Sequence, residues 1–205
     1  MFLIGITLYA SVMLAECGPA VSPETTQAII QVESGGNPLA IGDNTLKKSF
    51  APKSAADAVQ LATRLMREGH NIDMGLMQVN SCHVRPMKLS LEELFDSCRN
   101  IRIGTTILAE FYRQHKTDDS AQSLFRALSA YNTGQAWKGT GYINRILQAA
   151  GAGYRVSTPA AQFPLQAGAI PPGKPPAKPK TARESAAASP LFFDNLTGAM
   201  TAGDL

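Results

Sequence analysis

The chain has 205 residues, 44% of them hydrophobic and 17% charged, with a formal net charge of +3. That length suits one compact domain with an appendage and excludes two full domains. The mild positive balance, with no Lys/Arg cluster interleaved with aromatics, argues against nucleic acid as a partner while allowing contact with an anionic polymer or surface.

Residues 2–15 are almost wholly apolar. They are too few for a bilayer span, which needs about 20 residues, so no integral membrane segment is expected. Two readings of residues 1–16 stay open. Their length suits a signal-peptide core, although no Lys or Arg precedes them. The alternative is a buried first helix of the mature domain.

Ser22-Pro23 is a helix start, a hydroxyl cap followed by proline at the first helical position. The segment to Ser34 carries Ile29, Ile30 and Val32 and stops at Gly35-Gly36. Residues 37–53 mix Gly, Asn, Pro and Lys and predict a loop or small hairpin. Ser54 opens a further helix with Ala58, Ala62 and Leu65 at helical spacing and Gly69 just past its end. Ser90-Leu91-Glu92-Glu93 is a capping box ahead of another. Ile103, Ile107 and Phe111 then form one apolar stripe, and Leu124, Leu128 and Tyr131 a second.

The expected fold is α+β, a predominantly helical domain over 17–155 with a small hairpin or loop region. Residues 156–205 differ, holding eight of the thirteen prolines. They read as a disordered proline-rich tail, with the apolar island Pro190-Leu191-Phe192-Phe193 as a docking peptide if a partner exists.

Metal chemistry is not expected. His70, His83 and His115 form no H-x-x-x-H pair, and Cys17, Cys82 and Cys98 no C-x-x-C. The residue that draws attention is Glu33, in the last turn of its helix beside Val32 and Ile30. The negative end of the helix dipole and partial burial both disfavour a carboxylate there. A carboxyl kept protonated near neutral pH is what a general acid requires. Taken alone, Glu33 reads more simply as an exposed glutamate at a helix end.

Three segments in order strengthen it: Glu33-Ser34-Gly35-Gly36-Asn37-Pro38, Gly75-Leu76-Met77-Gln78-Val79-Asn80 and Ala130-Tyr131-Asn132-Thr133-Gly134. Together they resemble the lysozyme-like lytic transglycosylases of the goose-type/SLT kind, in the branch that accompanies type IV secretion and conjugation machines. The resemblance covers roughly residues 17–150. It implies a lysozyme-like fold, a peptidoglycan glycan strand as substrate, no cofactor, and a place in the periplasm or cell envelope. Glu33 would protonate the glycosidic oxygen as the bond to N-acetylmuramic acid breaks, through an oxocarbenium-like transition state. It would then accept the proton of the sugar's 6-hydroxyl as that group attacks the anomeric carbon, leaving a 1,6-anhydromuramyl end.

A second acid is absent from the three segments. Asp73 and Asp43 are the nearest candidates, and both read more simply as loop-stabilising residues. Among supporting residues, Ser34 would bond the Glu33 carboxyl or cap the helix. Gly75 would let a sugar ring approach the backbone. Gln78 and Asn80 offer amides to hydroxyl and acetamido groups or brace loops, and Met77 and Tyr131 offer apolar surface or belong to the core. Asn132 matches the family's contact to the substrate amide. Trp137 would wall the groove or pack inside. Cys17 and Cys98 match positions where this branch carries cysteines near the starts of two helices, which implies a disulfide between them; Cys82 has no counterpart and is expected unpaired. Two rival readings are a hydrolytic muramidase of the goose-type lysozyme kind, and a glycan-binding assembly factor contacting secretion components through residues 171–205.

Overall fold

The structure, a computed structural model, describes residues 11–156 and the backbone of residues 165–166. Residues 2–10 of the apolar run and the tail with its Leu191-Phe192-Phe193 island lie outside the described residues. Residues 11–17 form helix α1. Leu14 and Cys17 on it are buried, and Gly18 just after it sits so close to Thr105 that an added Cβ would stand 2.8 Å from that residue's Cγ2.

Helix α2 is Pro23–Glu33, with Ser22 as its cap and proline in its first turn. Helix α3 is Ala55–Arg67, capped by Ser54, which accepts from Asp57 N at 3.1 Å. Helix α4 (Leu91–Phe95) carries the full capping box of Ser90 and Glu93. The remaining helices are α5 (Ser97–Gln114), α6 (Ser120–Thr133) and α7 (Thr140–Ala149). Among the described residues no helix is long and apolar enough to cross a membrane.

Between the helices lies a four-stranded antiparallel sheet of order β2-β1-β3-β4. Its strands are β1 (Ile41–Asp43), β2 (Lys48–Phe50), β3 (Ile72–Met74) and β4 (Val79–Asn80). The first pair is the hairpin expected over 37–53. The second pair joins through residues 75–78 and was not expected, because strands of three and two residues are too short to display a period of two. After α7, β5 (Arg155–Val156) pairs with β6 (Leu165–Gln166). Val156 is buried and both its backbone groups bond Asn144, so the folded unit continues past residue 155.

Two apolar clusters make the core. One gathers α1, α2, α6 and α7 around Ile29, Phe125, Leu128 and Ile143; the other joins the sheet to α3 and α4 through Ile41, Ile72, Met74, Leu94 and Phe95. Helix α5 serves both, and Tyr131 packs against each. Glu33 lies where the end of α2 meets that seam.

A disulfide joins Cys17 to Cys98 with an S–S distance of 2.04 Å. Cys98 stands near the start of α5, whereas Cys17 is the last residue of α1 and not near its start, so the bond ties one helix end to the next helix's beginning. Cys82 is free and exposed.

Candidate active site

Glu33 ends α2 with its side chain partly buried. Its Oε1 accepts a 2.6 Å hydrogen bond from the hydroxyl of Tyr142, a residue of α7 that is itself buried. One turn further along α7, the guanidinium of Arg145 lies 5.7 Å from the centre of the Tyr142 ring. Burial pushes the Glu33 carboxyl up to about 7; the Tyr142 bond pulls it down, the negative charge of Asp73 adds to the rise, and Arg145 opposes it. Loss of water is thus the leading cause, as a partly buried carboxyl requires, and the helix end is not needed to explain it. Burial and the neighbouring Glu33 hold the Tyr131 and Tyr142 phenols well above their usual range, so both remain proton-bearing donors.

The loop 75–78 is pinned from four sides. Ser34 Oγ donates to Leu76 O at 2.8 Å, Tyr131 Oη to Met77 O at 2.7 Å, and Gln78 Nε2 to Gly75 O and Ala40 O at 2.9 and 3.1 Å. From α5, Asn100 accepts from Met77 N at 2.8 Å and donates to Met74 O and Leu94 O. These bonds bring all three sequence segments into one place and hold the end of α2 against the sheet. They also reassign several residues.

Ser34 spends its hydroxyl on the loop and on Ile30 O rather than on the Glu33 carboxyl. Met77 is fully buried against Gly104, so its side chain offers no surface to a ligand. Gly75, at φ 77°, has its missing side chain's space filled by Asn100 Nδ2 and Leu94 O, 2.3 and 2.4 Å from an added Cβ. Its glycine answers close packing beneath the loop and not the approach of a sugar. Asn80 has both amide atoms committed, to Asn71, Asp73 and Cys82 N. Gln78 adopts φ 48°, which its two side-chain bonds to backbone stabilise. Asn132 is exposed at the end of α6, and its side-chain amide has no hydrogen-bond partner among the described residues, the one amide of the set free to meet a ligand.

The two acids near the sheet separate cleanly. Asp43 is buried and accepts from Thr45 N, Leu46 N and His70 Nδ1. Burial acts to raise its carboxyl, but the Leu46 N–H and His70 outweigh that and hold it below the usual carboxylate range. It locks the turn after β1. Asp73 faces Glu33 electrostatically, is raised by its own burial, and has one oxygen bonded by Asn44 and the other by Asn80, each at 2.7 Å.

Sequence reasoning missed Tyr142, Arg145 and Asn100. Tyr142 hides in the stripe Tyr142, Ile143, Ile146, Leu147, which reads as ordinary core. Asn100 carried a signal, a lone amide beside the buried stripe of α5. Its replacement by Ala strips partners from a buried N–H and two carbonyls, at about 1–3 kcal/mol for each group left unsatisfied, so a loss of at least about 3 kcal/mol is expected as a lower urea midpoint at unchanged slope.

Comparison with known proteins gives the following. The family model described as the transglycosylase SLT domain matches residues 11–144. Protein virB1 of Agrobacterium fabrum (strain C58) is 37% identical over 138 residues, 66% of this chain and 56% of that protein. Protein virB1 of Rhizobium radiobacter is 34% identical over 138 residues, 66% of this chain and 58% of that protein. The type IV secretion system protein virB1 of Brucella abortus (strain 9-941) is 36% identical over 126 residues, 60% of this chain and 53% of that protein. The chain therefore spans about half the length of the curated relatives it matches. No solved structure gives a significant match.

Proposed function

The chain belongs to the SLT transglycosylase family, and from that premise we propose that it is a lytic transglycosylase that cuts the glycan strands of peptidoglycan in the cell envelope, opening the wall for a type IV secretion or conjugation apparatus. The observation that carries the reading is the Glu33 carboxyl, raised to about 7 by burial and held by Tyr142 at 2.6 Å. The secretion setting is supported by the name of the Brucella abortus relative, a type IV secretion system protein.

Mechanistically, protonated Glu33 donates to the glycosidic oxygen as the bond between N-acetylmuramic acid and N-acetylglucosamine breaks. Positive charge develops at the anomeric carbon, and the substrate's own acetamido oxygen is placed to cover it. The resulting Glu33 carboxylate is stabilised by the Tyr142 hydroxyl and by the charge of Arg145. It then takes the proton of the 6-hydroxyl as that oxygen closes on the anomeric carbon. The proton returns to Glu33, no water is consumed, and the product ends in a 1,6-anhydro ring. Asn132, with its amide free, is assigned to the substrate acetamido group, and Gln78, Tyr131 and Ser34 to holding the groove's floor.

One observation favours a second reading. The charge of Asp73 is felt at Glu33, and a second carboxylate in reach could activate water and make the reaction hydrolytic. Against it, both Asp73 oxygens are already engaged by Asn44 and Asn80. Mass analysis of fragments released from purified sacculi decides: products lighter by one water than hydrolysed fragments support ring closure, and hydrated ends would establish hydrolysis.

The same assay tests the acid. Glu33 must begin protonated, so kcat/KM holds below its pKa and falls as pH rises through about 7. A profile flat from pH 5 to 9 would remove Glu33 from the role of acid.

A further inference from the structure

The loop between α6 and α7 carries Trp137, the only tryptophan of the chain, with half its surface (51%) open to solvent. The loop itself is rigidly seated. The buried Ser129 hydroxyl donates to Gln135 O at 2.6 Å and accepts from Lys138 N and Gly139 N at 3.0 and 2.8 Å. Thr133 Oγ1 adds bonds to Ser129 O and Gln135 O. Gly139 lies so flat on α6 that a Cβ would stand 2.8 Å from Ser129 Cα, and Ala136 beside the indole is buried. Backbone on both sides of Trp137 is thus fixed while its ring, with no ring partner among the described residues, stays in water.

Its place in the chain is specific. Five residues before it stands Asn132 with a free amide; five after it stands Tyr142, bonded to Glu33. Resting on the function proposed above, we propose that Trp137 is a saccharide subsite beside the reacting bond, its indole stacking on the C–H face of a hexosamine ring of the glycan strand. A pyranose has such an apolar face and a polar rim, and an indole offers a flat apolar face with one N–H donor. A protein partner would call for a contiguous apolar patch. Trp137 has instead exposed polar neighbours, Thr133 at the end of α6 and Lys138 on its own loop, and the other exposed large hydrophobics among the described residues, Val12, Met13, Leu46 and Met87, belong to other parts of the chain.

The single tryptophan makes the test direct. Full-length Glu33→Gln protein, expected to turn over too slowly to consume the strands during a titration, is titrated with glycan strands stripped of stem peptides. A saturable change in indole emission and protection from iodide quenching are expected. In the same background Trp137→Ala weakens strand binding measured by calorimetry about tenfold, the order of loss at a truncated Trp anchor, and Trp137→Phe retains most of it. Emission unchanged while the wild-type protein still digests sacculi would overturn the subsite and leave the enzyme standing. The converse, emission that responds to strands in a protein that never digests sacculi, keeps the subsite and removes the catalytic reading. Normal strand binding by Trp137→Ala together with failed substrate transfer in cells would make the indole a protein contact and refute the proposal.

Discussion

Glu33→Gln is expected to leave the fold intact and reduce sacculus digestion by about 10²–10⁴-fold, the range of a positioned general acid–base, or roughly 3–5 kcal/mol of barrier. Glutamine keeps the size and still accepts from Tyr142, but it neither gives nor takes a proton, so both halves of the reaction fail together. Tyr142→Phe is the informative companion. It removes a bond that favours the carboxylate, so the alkaline limb of the pH profile moves to higher pH while kcat falls more modestly. Retention of most activity by Glu33→Gln would eliminate the proposed mechanism in either its ring-closing or its hydrolytic form.

Opening the Cys17–Cys98 bond is the change with the largest expected effect on stability. The bond closes a loop of 81 residues' separation. In the chain-entropy account such a cross-link is worth about 4 kcal/mol. For a domain of this size that corresponds to a fall in melting temperature of roughly 10 °C. The comparison is between oxidised protein, protein in reductant, and Cys98→Ser, with Cys82→Ser as the control that leaves the bond alone. Equal melting temperatures across all four would show that α1 is not held through this link.

Much of the architecture was legible because helix boundaries are chemical. Ser22-Pro23, Ser54, and the Ser90/Glu93 pair satisfy orphan N–H groups by local bonds, and local bonds are written in local sequence. The second hairpin was not legible, since β3 and β4 exist through pairing with β1 and with each other rather than through any pattern of their own. At the site, the family segments located Glu33 and the loop 75–78 but left two roles open for most of their residues. Met77 as core, Ser34 at the helix end and Asn80 as a loop brace are the readings that burial and bonding favour, while Gly75 is required by packing beneath the loop. What supports them, Asn100 above all, is distant in sequence and speaks only through packing. Tyr142 was hidden for the same reason, as a tyrosine in an apolar stripe signals core, and only the fold turns its hydroxyl toward a carboxyl 109 residues away.

That long reach has a consequence for biosynthesis. The chain is made from its N-terminus, so the glutamate leaves the ribosome well before α6 and α7 exist. Until the last helix docks on α2, Glu33 lacks both the Tyr142 hydroxyl and the nearby charge of Arg145. A copy ending before Thr140 therefore holds the glutamate without the hydroxyl that Tyr142 aims at it.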